Sequence, residues 1–87
     1  MLYSLYATNT WYDLELLYTK KLDEAMKIGE MFGKMVENLV VWNDRYCGDP
    51  RPEKMERVEL YGMGEGGQVF LGRFDTNGEF IKNTEEE

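Results

Sequence analysis

The residues of this chain that could do chemistry are almost all carboxylates. Seventeen Asp and Glu stand against ten Lys and Arg, with a single cysteine and no histidine. The missing histidine removes the commonest general base, the Ser-His and Cys-His nucleophile pairs, and most transition-metal sites. One cysteine with no histidine beside it cannot build a zinc site. Cys47 stands near Arg45 and Arg51, and cations of that kind lower a thiol's pKa; the alternative is an incidental thiol at the edge of a loop. Paired carboxylates remain. Asp13 and Glu15 fall at i,i+2, about 7 Å apart along a strand, a spacing that any solvated strand face also shows. A glycosidase needs a sugar-sized cleft between its carboxylates, and 87 residues leave little room for one. The pattern predicts a protein that binds and does not catalyse, with no metal and no cofactor.

One motif invites a nucleotide. Gly62-Met63-Gly64-Glu65-Gly66-Gly67-Gln68-Val69 fits G-x-G-x-x-G-x-V, the spacing of a glycine-rich phosphate loop. The companion motifs of a kinase are absent, and Glu65 puts a negative charge where phosphates would lie. The competing reading is a hairpin turn in which glycines supply positive φ.

The elements that must position these residues follow from periodicity. Tyr3, Leu5 and Ala7 alternate with Leu2, Ser4 and Tyr6, and Thr8-Asn9-Thr10 reads as a turn. Beyond it Tyr12, Leu14, Leu16 and Tyr18 share one side and Asp13 and Glu15 the other. Period two with one wet face predicts a hairpin over residues 2–18. Leu22, Ala25, Met26, Gly29, Phe32, Gly33, Val36, Leu39 and Val40 recur at three and four, which predicts a helix continuing to about Asp44. Two prolines in residues 47–54 predict a loop without helix or ladder. Strands are expected over 55–62, 68–74 and 79–82, separated by a glycine turn at 62–67 and by Asp75-Thr76-Asn77-Gly78, which carries the Asn-Gly hairpin signal. The order β-β-α-β-β-β places the chain in the α+β class: one antiparallel sheet with a single long helix across one face. Residues 1–82 are expected to form one domain and 83–87 an acidic, disordered tail. The single cysteine, the missing basic n-region and the lack of a long apolar run predict a cytoplasmic protein with no membrane span.

Net charge is −7. That sign repels nucleic-acid phosphates, so a protein partner is expected and direct nucleic-acid binding is not. The contact residues read from the sequence are Trp11, the acids Asp13, Glu15, Glu65, Asp75 and Glu79, which with the tail merge into one negative patch if the hairpins share an exposed face, and Met31 and Met35, which widen the helix's apolar arc with Ile28. Ala25, Gly29 and Gly33 form a small-residue ridge. It fits either the chain's own sheet, with Tyr and Trp side chains above the glycines, or a helix–helix homodimer seam.

In general character (short, acidic, rich in Tyr, Met and Glu, histidine-free, one helix on a small sheet) the chain resembles small accessory proteins of bacteriophages. The resemblance implies a host-takeover or anti-defence role. Many such proteins bind and inhibit a host enzyme, including restriction, CRISPR and other defence nucleases, in the host cytoplasm. The first expectation is thus a non-enzymatic inhibitor of a host protein with a basic nucleic-acid-binding surface. The alternative is a self-assembling structural or accessory protein using the Gly29/Gly33 helix face.

Overall fold

The alternation at the N-terminus does build a hairpin. In the computed structural model, which describes residues 1–10, 12–43 and 51–83, β1 (Leu2–Thr8) pairs antiparallel with β2 (Asp13–Thr19). Trp11, Cys47 and the tail Glu85-Glu86-Glu87 lie outside the described residues. The pairing slips by one residue: Leu5 faces Leu17 while Tyr6 faces Glu15, leaving Leu16 as a bulge. A bulge flips the alternation beyond it. Tyr18, expected on the core side with Leu14, therefore lies opposite Ser4 and is 51% exposed, and Leu17 takes its place toward the core.

The helix α1 spans Leu22–Met35 and ends much earlier than its three-four pattern predicts. A short 3-10 turn at Val36–Asn38 buries Val36, and β3 (Val40–Asn43) follows. Val40, Val41 and Trp42 are β-branched or aromatic, so strand geometry suits them better than a fourth helical turn. β3 pairs with β4 (Arg51–Lys54) as a separate two-stranded ribbon, where a loop was expected. Pro52 is tolerated because both strands are edges, and an edge has one side that needs no N–H donor. Met55 N–H on Leu39 O extends this ribbon by one rung, and Glu56 N–H on Thr8 O and Asn9 Nδ2–H on Lys54 O tie it to the β1 end of the main sheet.

β5 (Arg57–Gly64) and β6 (Gly67–Phe74) run deeper into the glycine stretch than expected, so only Glu65-Gly66 form the turn. β7 (Phe80–Lys82) returns after the Asn-Gly turn. The main sheet is antiparallel in the order β2-β1-β5-β6-β7, with α1 across one face, and the α+β class holds. Asn83, expected in the tail, donates its backbone N–H to Leu71 O and its side-chain amide to Phe70 O, which fastens it along β6; the rest of the expected tail lies outside the described residues.

The core lies between helix and sheet. Leu14, Ala7, Val58 and Phe74 make one cross-strand row, and Leu17, Leu5 and Leu60 the next. Ala25, Gly29 and Gly33 face them from α1. A Cβ at Gly29 would lie 2.3 Å from the Phe74 ring, and one at Gly33 would lie 2.8 Å from Asp75 O. The ridge is therefore the seat of the chain's own Phe74, which occupies the role expected of Tyr or Trp. It is closed to a second helix.

Candidate functional site

The face of the sheet away from α1 is covered by no other element among the described residues. Its side chains are the outward partners of the core rows. Cross-strand register sets out Glu15, Tyr6, Glu59, Arg73 and Ile81 in one row and Tyr18, Ser4, Tyr61 and Phe70 in the next. At one end Asp13, Thr8 and Arg57 complete a third.

Aromatic rings cross the middle of this face. Tyr6 meets Tyr61 edge to face, centroids 5.6 Å apart, and Tyr61 meets Phe70 at 5.4 Å. All three are half-buried. Aromatic pairs of this geometry are worth about 0.5–1.5 kcal/mol beyond the area they bury, so the row is rigid as well as apolar. Tyr61 donates its hydroxyl to Glu59 Oε1 at 3.0 Å, and Arg57 Nε stands 3.9 Å from Glu59 Oε2. Burial, this hydrogen bond and the negative charges of Glu59 and Asp13 push the Tyr61 phenol up to about 12. Each of these favours the protonated, uncharged form.

The charges on the face are sorted by strand. Asp13 and Glu15 stand exposed on β2 at one edge. On the other half Arg57, Glu59, Arg73 and Asn83 line a concavity of about 250 Å³ floored by Phe70 and Ile81; Lys82 borders it from the β7 edge but shares the helix-side row with Gly72 and Leu60. Arg73 lies opposite Glu59 in register yet makes no ion pair; among the described residues the ion pairs are Glu30–Lys34 and Glu59–Arg57. The guanidinium of Arg73 is thus available to a partner. A second hollow of about 210 Å³ is lined by Tyr6, Thr8, Asp13, Tyr61 and Gln68, and the Thr8 hydroxyl beside it is buried with no hydrogen-bond partner among the described residues.

The residues expected to form one negative patch are dispersed. Asp13 and Glu15 share the outer face of β2. Asp75 sits three strands away, roughly 14 Å in strand spacings, with Arg57 on the strand between. Its carboxylate is engaged in the turn, accepting N–H from Asn77 and Glu79, each at 2.9 Å. Glu79 is exposed in that same turn, and Glu65 is exposed at the β5–β6 tip. Met31 and Met35 lie together on the outer side of α1, 50% and 39% exposed, away from the aromatic face. The phosphate-loop reading of Gly62–Val69 is replaced by ladder pairing: Gly62 faces Val69 and Gly64 faces Gly67, whose φ of +102° closes the hairpin.

Tyr6, Glu59, Tyr61, Phe70 and Arg73 were not among the residues singled out from sequence. The available signal was parity: Tyr6, Glu59 and Tyr61 occupy the wet phase of strands whose other phase is Leu5, Ala7, Val58 and Leu60. Among the described residues no three carboxylates or thiols converge as metal ligands, and no helix is long and apolar enough to cross a membrane. No family model, no curated protein and no solved structure matches the chain.

Proposed function

We propose that this chain is a non-enzymatic binding protein whose docking surface is the helix-free face of its sheet, and that its target is another protein. The observation that supports the reading is the Tyr6–Tyr61–Phe70 row, held rigid in the middle of an uncovered face and bordered by charges of both signs. Rigid aromatics ringed by polar groups are the usual anchors of protein interfaces, because they bring large contact area at low entropic cost. A host protein with a basic nucleic-acid-binding surface matches the β2 half, where Asp13 and Glu15 project. Arg73, on β6, favours a partner that also carries an acid.

The test is partner capture by the full chain, with surface variants as the readout. Tyr61→Ser and Glu15→Arg are expected to lose at least tenfold in affinity for whatever the wild type retains, about 1.4 kcal/mol. Met31→Ser, on the outer side of α1, is expected to bind like wild type. Loss on Met31→Ser with retention by Tyr61→Ser would move the docking surface to the helix and refute the proposal.

A further inference from the structure

We infer that the hollow beside Tyr6 and Tyr61 receives an arginine side chain of the partner protein, its guanidinium on the phenol rings and its N–H groups on the Asp13 carboxylate. The inference rests on the docking face proposed above and names the chemistry which that face recognises. Three observations carry it.

The first is an unanswered charge. Asp13 lies opposite Thr8 on the outward side of the sheet, and the next outward residue along β2 is Glu15, opposite Tyr6. Among the described residues neither carboxylate takes part in an ion pair. Arg57 stands across β1 from Asp13 but turns to Glu59, Nε to Oε2 at 3.9 Å, and that pair lines the neighbouring concavity and not this hollow. The Thr8 hydroxyl is closed to solvent, so Asp13 is the charged acceptor that the hollow presents. Its charge reaches across to Tyr61, where it joins burial and Glu59 in raising the phenol. The potential in the hollow is negative, and a cation is what it attracts.

The second is the wall. Tyr6 and Tyr61 meet at 83°, a corner of two half-buried rings. The face of such a ring attracts a cation within about 6 Å of its centroid. The Tyr61 hydroxyl donates to Glu59, so it is not available as a donor to an anion. A guanidinium satisfies ring and carboxylate together. It is flat and weakly hydrated, and it stacks on a ring while its edge makes paired N–H···O bonds. Lysine's ammonium is a strongly hydrated point charge without a flat face.

The third is size and place. The hollow holds about 210 Å³, below the about 300–1,000 Å³ of small-molecule sites, which suits one side chain. Tyr6 and Tyr61 stand on β1 and β5, inner strands of the sheet. Interface anchors concentrate near the centre of a contact, and arginine is one of the residues enriched among them.

The probe is N-acetyl-argininamide, titrated into the isotope-labelled full chain and followed by amide chemical shifts, beside N-acetyl-lysinamide and the neutral N-acetyl-citrullinamide. The arginine probe is expected to saturate with a dissociation constant on the order of 10 mM and to move the amides of Tyr6, Asp13 and Tyr61. The lysine probe is expected to bind at least about fivefold more weakly, and the citrulline probe not to saturate below about 100 mM. Asp13→Asn and Tyr6→Leu are each expected to weaken the arginine probe at least about fivefold, and Arg73→Gln to leave it within about twofold; thermal melts establish that each variant is folded. An arginine probe that does not saturate below about 100 mM overturns the inference. So do a lysine or citrulline probe that binds as well, indifference to Asp13→Asn, or shifts centred on α1. Partner capture judges the docking face separately. If Tyr61→Ser loses the captured partner while the arginine probe fails to bind, only the arginine assignment is removed and the docking face stands. If partner capture is indifferent to Tyr61→Ser, both fall.

Discussion

Gly29 sits one turn before Gly33 on the buried side of α1, and its replacement by alanine sets two effects against each other. Helix propensity favours alanine by about 1 kcal/mol. The new methyl, however, would stand 2.3, 2.4 and 2.8 Å from three carbons of the Phe74 ring. Carbon atoms settle at about 3.5–4.0 Å, so the ring must retreat by more than about 1 Å. Phe74 is 2% exposed and packs on Phe80 at a centroid distance of 5.2 Å, and it has no free side to move into. Overpacking of this kind costs about 1–3 kcal/mol, and three atoms under contact distance place Gly29 at the upper end. The net expectation for Gly29→Ala is a loss of about 1–2 kcal/mol, read as a fall of roughly 5–15 °C in melting temperature for a domain of this size. Circular dichroism melts and urea titrations measure it. Gly66→Ala, where nothing lies within 4 Å, is the control and should change stability by less than about 0.5 kcal/mol. Pairing Gly29→Ala with Phe74→Leu should show favourable coupling of about 0.5–3 kcal/mol. A Gly29→Ala protein as stable as wild type, or one whose effect simply adds to that of Phe74→Leu, would refute the claim that the ridge exists to seat this ring.

Two further outcomes follow from the same geometry. The Tyr61 phenol is raised from 10.0 to about 12, so its contribution to stability is complete below pH 10 and fades as the pH climbs toward 12; the urea midpoint should fall over that window, and fall less in Tyr61→Phe. Asp75→Ala removes the acceptor of two turn N–H groups and should cost about 1–2 kcal/mol, with Asp75→Asn recovering part of it.

The parts of the fold legible in the sequence were those governed by local rules. Alternation marked β1 and most of β2, the Asn-Gly turn marked the β6–β7 hairpin, and the three-four stripe marked α1 through Met35. The helix end was misread because Val36, Leu39 and Val40 continue the stripe numerically, although residues 39–42 prefer extended geometry once β4 supplies a pairing partner. The Leu16 bulge has no local signature, so Tyr18 was put on the wrong face. The candidate site fared worse for a related reason. Acids and methionines stand out by type, whereas Tyr6 joins Tyr61 and Phe70 only through the pairing of β1 with β5, strands far apart in the chain. Parity showed that Tyr6 and Tyr61 point outward. It could not show that they touch.

The net charge of −7 invites a reading in which acidity selects a basic partner. The placement of the charges argues for something narrower. On the helix-free face Asp13, Glu15 and Glu59 stand with Arg57 and Arg73, and further acids include Glu65 at a hairpin tip, Glu79 in a turn and Glu37 after the helix. Those exposed acids serve solubility, as charge of this magnitude commonly does in small domains. A uniformly basic surface brought against the face would gain at β2 and lose at Arg73 on β6. Charges across an interface set orientation and discriminate against wrong partners more than they add affinity. The aromatic row is the source of affinity here, and the split of charge fixes the way a partner must lie across the strands. Reversing one end alone should therefore misorient or expel the partner, while reversing both ends should turn the requirement around and leave affinity nearly intact.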